Sequence, residues 1–413
     1  MLIRKLNLNL VPNLAKRRDV VRHFAEPELK QPKQMKEITH YLIDTISEKE
    51  LILTLKDKIL VYETGKIGKL KATEKKFPNS EDALKNFYKK EWEALKKGFV
   101  LNSENTEIGQ PILHKFIGGT YTGAMSIASS PYGTFVYKDE ATTKNKQQIA
   151  GYLNLTDNFG NILKTIELPE PLAWNVEYRA KTNSLVMDID HSIYEFDVEK
   201  EIFINLGNKK YNHTSFVSVS DDKIAFANFG EIFVMDNQNK VLFKQNYDYE
   251  VVRGTTPFCG KLSKDGKLLA FHNKIGEIQI VDAENGKLVS KINGDFEMVY
   301  QFEFVNNNKL LVVREQYGTW GMRYFDLSTN EEVQIKEIEI PEYTKDVNAF
   351  CFNADQTKLI LLQRADAHVF DFVNKKLLHS FKIEHLVKTC KIKFVGEKLG
   401  LRTDYGCFSI YNV

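Results

Sequence analysis

FCGKLSKDGKLLAFHNKIGEIQIVDAENGKLVSKI, residues 258–292, divides into four short apolar runs separated by tight turns. Asp265-Gly266 and Asn285-Gly286 each lie between apolar runs, the strongest short-range hairpin signal, and type I′ turns need positive φ at both central positions. The stretch therefore predicts a four-stranded meander. Such a sheet cannot cover both of its faces alone, so copies of it are expected to stack alongside.

The copies are visible. An apolar run ending in Asp or Asn recurs at Asp157, Asp197, Asp236, Asp282, Asp326, Asp371 and Asn412, at intervals of 39 to 46 residues. A second mark opens the preceding strand at Phe135, Leu185, Ile224, Leu268, Leu310, Leu359 and Leu399, and from Ile224 onward each follows a Lys. Two marks in phase with a period near 40 are the signature of β-propeller blades. The pattern is similar to that of WD-repeat propellers, with apolar-Asp in the Trp-Asp place and without the Gly-His dipeptide. The chain stops at CFSIYNV, the third strand of its last unit, while PILHKFIG (residues 111–118) stands unpaired before the first unit and matches fourth strands such as KLLHSFKI. Residues 111–118 are thus expected to complete the C-terminal blade and close a seven-bladed ring over residues 111–413.

At 413 residues and 43% apolar, the chain can build large cores, and its 27 Phe and 18 Tyr lean toward sheet. Cys259, Cys351, Cys390 and Cys407 have no ligand spacing and sit in apolar runs, as buried thiols of a reducing compartment do. With no signal-peptide core and no membrane-length apolar run, a cytoplasmic protein is expected. The net charge of +2 hides an asymmetry: residues 1–100 hold 22 Lys and Arg against 14 Asp and Glu. Different partners at the two ends follow from that imbalance.

Residues 1–35 read as a basic N-terminal segment broken by Pro27 and Pro32. Residues 36–102 read as β-runs followed by a helix capped at Asn79 or Ser80. Its buried face is Leu84, Phe87, Tyr88, Trp92 and Leu95, and Gly98 ends it. Residues 103–110 are polar and run up to Pro111, the composition of a linker.

The run VYETGKIGKLKATEKKF, with Ala83, Phe87 and the closing Lys97-Gly98-Phe99, resembles the WGR domain, a module of poly(ADP-ribose) polymerases and bacterial regulator-like proteins. The resemblance implies a small α+β domain whose Trp and Arg contact DNA or a neighbouring domain. Thr64 and Lys66 stand where those two are expected, and only Gly65 of the tripeptide is kept. The candidate nucleic-acid-binding residues are then Gly65, Lys66, Lys69, Lys71, Lys75 and Lys76. Without the aromatic platform, weak, salt-sensitive binding is the expectation.

No GxSxG, HExxH, GxxxxGK[ST] or GxGxxG pattern occurs, and the nine histidines are scattered, His114 and His379 holding the same place in two fourth strands. No catalytic residue, cofactor or metal ligand is expected. Two features stand out: the insertion at residues 138–150, and an aromatic cluster of Tyr300, Phe302, Tyr317, Trp320 and Tyr324 beside Arg314 and Arg323. Tyr317, Trp320 and Arg323 have the composition of an interface hot spot and are the candidate protein-binding residues. The reading that results is mainly β: a seven-bladed propeller acting as a non-enzymatic protein-binding platform, coupled to a WGR-like module. The alternative is a DNA-associated regulator acting through the basic module.

Overall fold

The Asp-Gly and Asn-Gly turns of residues 258–292 do form, but only the glycines, Gly266 (φ 67°) and Gly286 (φ 72°), adopt positive φ. These are therefore not type I′ turns. Asp265 instead accepts from the Lys267 amide and Ser263 hydroxyl, and Asp282 from the Glu284 and Asn285 amides. A carboxylate that caps its own turn removes the need for two left-handed residues. The same bond explains the repeat. Asp157, Asp197, Asp236, Asp326 and Asp371 each accept from an amide two or three residues on. The Asp recurs because it closes the turn between third and fourth strands.

The computed structural model describes residues 37–103, 106–118, 124–141, 148–190, 192–207, 216–228, 230–247, 259–296, 298–317, 319–335 and 346–413. The basic segment 1–35 and the centre of the insertion, residues 142–147, lie outside them.

The N-terminal part supplies β1 (Ile38–Asp44), β2 (Lys49–Lys56), β3 (Ile59–Lys66), β4 (Lys69–Lys76), α1 (Ser80–Leu95) and β5 (Val100–Asn102), and β6 (Pro111–Phe116) follows. Then come six four-stranded antiparallel sheets. The first holds β7 (Ile127–Ser130), β8 (Gly133–Ala141), β9 (Gln148–Thr156) and β10 (Ile162–Glu167). The second holds β11 (Ala173–Arg179), β12 (Ser184–Ile189), β13 (Ser192–Asp197) and β14 (Ile202–Gly207). The third holds β15 (Val217–Val219), β16 (Lys223–Asn228), β17 (Glu231–Asp236) and β18 (Val241–Asn246). The fourth holds β19 (Gly260–Leu262), β20 (Leu268–Lys274), β21 (Glu277–Asp282) and β22 (Leu288–Asn293). The fifth holds β23 (Met298–Val305), β24 (Leu310–Tyr317), β25 (Thr319–Asp326) and β26 (Glu331–Glu332). The sixth holds β27 (Val347–Phe352), β28 (Lys358–Gln363), β29 (Asp366–Asp371) and β30 (Lys376–Lys382).

These six are the separate blades of a β-propeller, where seven were expected. The remaining strands, β31 (Cys390–Val395), β32 (Lys398–Thr403) and β33 (Cys407–Tyr411), do not make a separate sheet. They join a nine-stranded sheet of order β31-β32-β33-β6-β5-β1-β2-β3-β4. β6 pairs with β33 on one edge, Phe116 opposite Cys407 and Leu113 opposite Ile410, and with β5 on the other, Leu113 opposite Asn102. Residues 103–110 thus connect two hydrogen-bonded neighbours of one sheet. The physical reason is edge pairing: β6 exposes a second row of amides and carbonyls, and β5 covers it. Arg402 of β32 reaches the first blade at the Tyr137 carbonyl (3.3 Å) and also donates to the carbonyl of Gly118 just after β6 (2.8 Å).

Helix α1 begins where its cap is strongest. The Asn79 side chain accepts from the Asp82 amide at 2.8 Å, and Gly98 at φ 100° ends the segment. Phe87, Trp92 and Leu95 pack on Leu42, Leu53, Leu55 and Leu60 from the sheet and on Cys407 from the C-terminal strand. One core therefore spans the N-terminal strands and the end of the chain.

Candidate functional site

The joint of the nine-stranded sheet gathers five titratable side chains that lie far apart in the sequence. Alternation along β1 turns His40 toward α1, together with Leu42. His114 sits in the middle of β6, covered on both sides. Glu91 lies one helical turn from Phe87 and from Leu95, in the buried stripe of α1. Glu384 and His385 arrive from the turn after β30, His385 at φ 52°. Glu91 and His114 are fully buried, and the side chains of His385 and Glu384 are 3% and 10% exposed.

His114 Nε2 is 3.0 Å from Glu384 Oε2, while its Nδ1 is 2.7 Å from the Ser409 hydroxyl of β33. Tyr88 donates to Glu384 Oε1 at 3.1 Å, and the Glu384 amide donates to the Tyr411 hydroxyl at 2.9 Å. On the other side, Glu91 Oε1 is 3.2 Å from His40 Nδ1 and Oε2 is 3.3 Å from His385 Nε2. Both are ion-pair distances, but neither is aligned as a hydrogen bond. Trp92 stacks on the His385 ring at 5.1 Å and on Tyr405 at 4.3 Å, closing the site from above. One donor atom from each of Glu91, His114, Glu384 and His385 lies within 4.8 Å of every other. That is a set able to hold a metal ion.

Electrostatics bind the parts together. Burial opposes charge on His40, but the Glu91 carboxylate, helped by Glu384, outweighs it and raises the imidazole to about 9. Burial likewise opposes ionisation of Glu91, yet His40 and His385 hold its carboxyl well below the usual carboxylate range. Burial and the Glu384 charge push the Tyr88 phenol up, so it stays a donor.

None of these five was expected as a site. By sequence alone, His114 and His379 hold the same place in two fourth strands and the histidines are scattered. His40, His114 and His385 in fact converge. The one local signal was Glu91, a carboxylate inside the apolar stripe of a helix.

The expected nucleic-acid residues fall on the β3–β4 hairpin at the free edge of the sheet. Lys66 pairs with Lys69 and Thr64 with Lys71, while Lys75 lies opposite Leu60. Alternation places Lys66, Lys69, Lys71 and Lys75 on the side of the sheet that carries α1, and Lys76 on the other. All five lysines are exposed. Lys90 of α1 lies 4.8 Å over the Tyr62 ring on the same side. Gly65 has a local reason: a Cβ there would stand 2.2 Å from the Lys69 carbonyl oxygen. Nothing in the structure identifies a WGR domain.

The expected protein-binding cluster divides. Phe302 and Tyr324 are buried in blade packing. Arg323 bonds to Glu315 (2.9 Å) and Glu332 (2.7 Å) within its own blade and to Asp295 (3.1 Å) in the connection that precedes it. Tyr317 and Trp320 sit at the β24–β25 turn, Tyr317 opposite Thr319 and Trp320 opposite Gln316; their side chains lie outside the described residues. The insertion is in large part strand, β8 and β9 staying paired as far as Ala141 and Gln148. On the ring axis, Glu177 of β11 meets Lys393 of β31 at 2.8 Å, and Lys261 of β19 meets Glu303 of β23 at 3.4 Å.

No protein-family model matches the chain, and no curated protein matches it in sequence. Among solved structures, a chain of the "Crystal Structure of Mitotic Checkpoint Complex" is similar, with a TM-score of 0.57 at 12% identity. The likeness covers 76% of this chain and 94% of that one. At that identity it speaks for the fold, a β-propeller, and for nothing further. No helix among the described residues is long and apolar enough to cross a membrane.

Proposed function

We propose that the chain is a non-enzymatic protein-binding platform, with β31, β32, β33 and β6 serving as the seventh blade of the ring. Residues 36–102 would then form an attached sheet-and-helix unit. The observation that carries this reading is a pair of long hairpins. β8 and β9 have nine residues each and β24 and β25 eight, where the corresponding strands of the second, third and sixth blades have six. Turns between second and third strands leave every blade at the same end of the ring, so both hairpins extend that one end. The likeness to a chain of a multiprotein complex supports the reading. So do the axial ion pairs, which hold Glu177 and Glu303 against lysines and not free for acid–base work.

The test is affinity capture with three proteins: wild type, a variant with residues 140–149 replaced by a two-residue Asn-Gly turn, and Trp320→Ala. The reading expects one partner retained by wild type and lost by at least ten-fold in both variants, with melting temperatures unchanged. Equal capture by all three would overturn it.

A second reading, nucleic-acid binding, is supported by the four lysines on the helix side of the β3–β4 edge. Phosphate neutralisation by such a strip gives dissociation constants of about 10⁻⁴–10⁻⁶ M that weaken steeply with salt. Titrating the full chain with a short duplex at two salt concentrations tests it, against a variant with Lys66, Lys69, Lys71 and Lys75 changed to Gln. Indistinguishable curves would remove the reading.

A further inference from the structure

We propose that Glu91, His114, Glu384 and His385 form a structural site for a divalent transition-metal ion of the zinc class, which staples the N-terminal sheet and helix to the ring.

The donor set is right for such an ion. Two imidazoles and two carboxylates bring two negative charges, which one divalent cation neutralises, and nitrogen with oxygen ligands suits zinc and its neighbours. The spacing is near what four-coordination needs. Metal–ligand bonds of about 2.0–2.1 Å in a tetrahedron put ligand atoms about 3.3–3.4 Å apart. The His385–Glu91 and His114–Glu384 pairs stand at 3.3 and 3.0 Å, and small side-chain adjustments close the remaining edges.

The alignment argues in the same direction. The ring nitrogen of His385 and both oxygens of Glu91 are buried without a hydrogen bond, although each is within ion-pair reach. Buried polar atoms that approach without bonding are rare unless a further group stands among them. The outer contacts are those that orient ligands. Ser409 takes the Nδ1 side of His114 and leaves Nε2 facing inward. Tyr88 and Tyr411 fix Glu384, and His40 braces the Glu91 oxygen turned away from His385. The site is nearly enclosed by protein, with four protein ligands and Trp92 stacked on His385, which marks a structural rather than a catalytic ion.

The experiment uses the full chain purified without a metal-affinity step, stripped with chelator and then titrated with Zn²⁺ and with Co²⁺. Expected are equimolar uptake, the intense visible d–d absorption of tetrahedral Co²⁺, and a melting temperature that rises with the metal. His114→Gln and Glu384→Gln should each weaken binding at least 100-fold, and Ser409→Ala by about 10- to 100-fold. Ser409→Ala keeps all four ligands and, with the wild-type Co²⁺ spectrum, decides the matter should a ligand variant fail to fold. Absence of uptake by wild type, an octahedral Co²⁺ spectrum, or Ser409→Ala binding as wild type does would overturn the proposal. The cluster would then be a proton-neutralised ion network.

Discussion

Leu113→Ala probes the packing of β6 between β33 and the first blade. Leu113 lies on β6 opposite Ile410, fully buried, in a cluster with Ile127 and Val136 of the first blade and Phe408 and Ile410 of β33. Truncation removes the apolar group that three strand systems share. Collapse into the space is restricted, because Gly160 already packs against Leu113 so closely that a Cβ there would come within 2.7 Å of it. Fully buried Leu→Ala changes cost about 2–5 kcal/mol, and poor relaxation places this one toward the upper end, about 3–5 kcal/mol. Urea unfolding followed by tryptophan fluorescence measures it, with Leu378→Ala as the control. Leu378 is 46% exposed on the outer strand β30, and its loss should stay within about 0.5 kcal/mol. A Leu113→Ala cost below about 1 kcal/mol would mean that β6 is not packed firmly between β33 and the first blade.

Two further predictions concern buried polar groups. His272 of β20 is buried, and desolvation lowers its imidazole to about 4. Between the unfolded value near 6.5 and about 4, the unfolded chain takes up a proton that the native chain refuses, so stability falls as pH falls. At pH 5 that amounts to about 2 kcal/mol relative to pH 7. The pH 7-to-5 loss should therefore be about 2 kcal/mol smaller in His272→Leu than in wild type, and equal losses would contradict the assignment. Arg402→Met keeps volume but leaves the Tyr137 and Gly118 carbonyls without their donor. It should cost about 2–4 kcal/mol by the same urea assay, and a neutral result would show that these contacts do not tie the last sheet to the first blade.

What could be read from the sequence was local. The blade repeat is legible because its Asp caps its own turn within two or three residues, as at Asp197 and Asp326. The limits of α1 are legible for the same reason, since Asn79 bonds to Asp82 and Gly98 relaxes its own φ. The His–Glu centre was not legible, because His40, Glu91, His114 and Glu384–His385 are brought together only by sheet continuity and one inter-blade turn. That continuity hangs on β5, three residues without periodicity, and so six separate blades and one shared sheet replace seven equal blades. The turns formed but without the type I′ conformation, because at Asp265 and Asp282 a side chain does the work that backbone strain would otherwise do.

The N-terminal sheet and helix and the end of the chain act as one folding unit, joined through β6 and a common core. Scanning calorimetry of the full chain addresses it most directly. A shared sheet with Phe87, Trp92 and Cys407 in one cluster predicts a single endotherm whose calorimetric and van't Hoff enthalpies agree. Two resolved transitions, the smaller one belonging to residues 37–102, would contradict it.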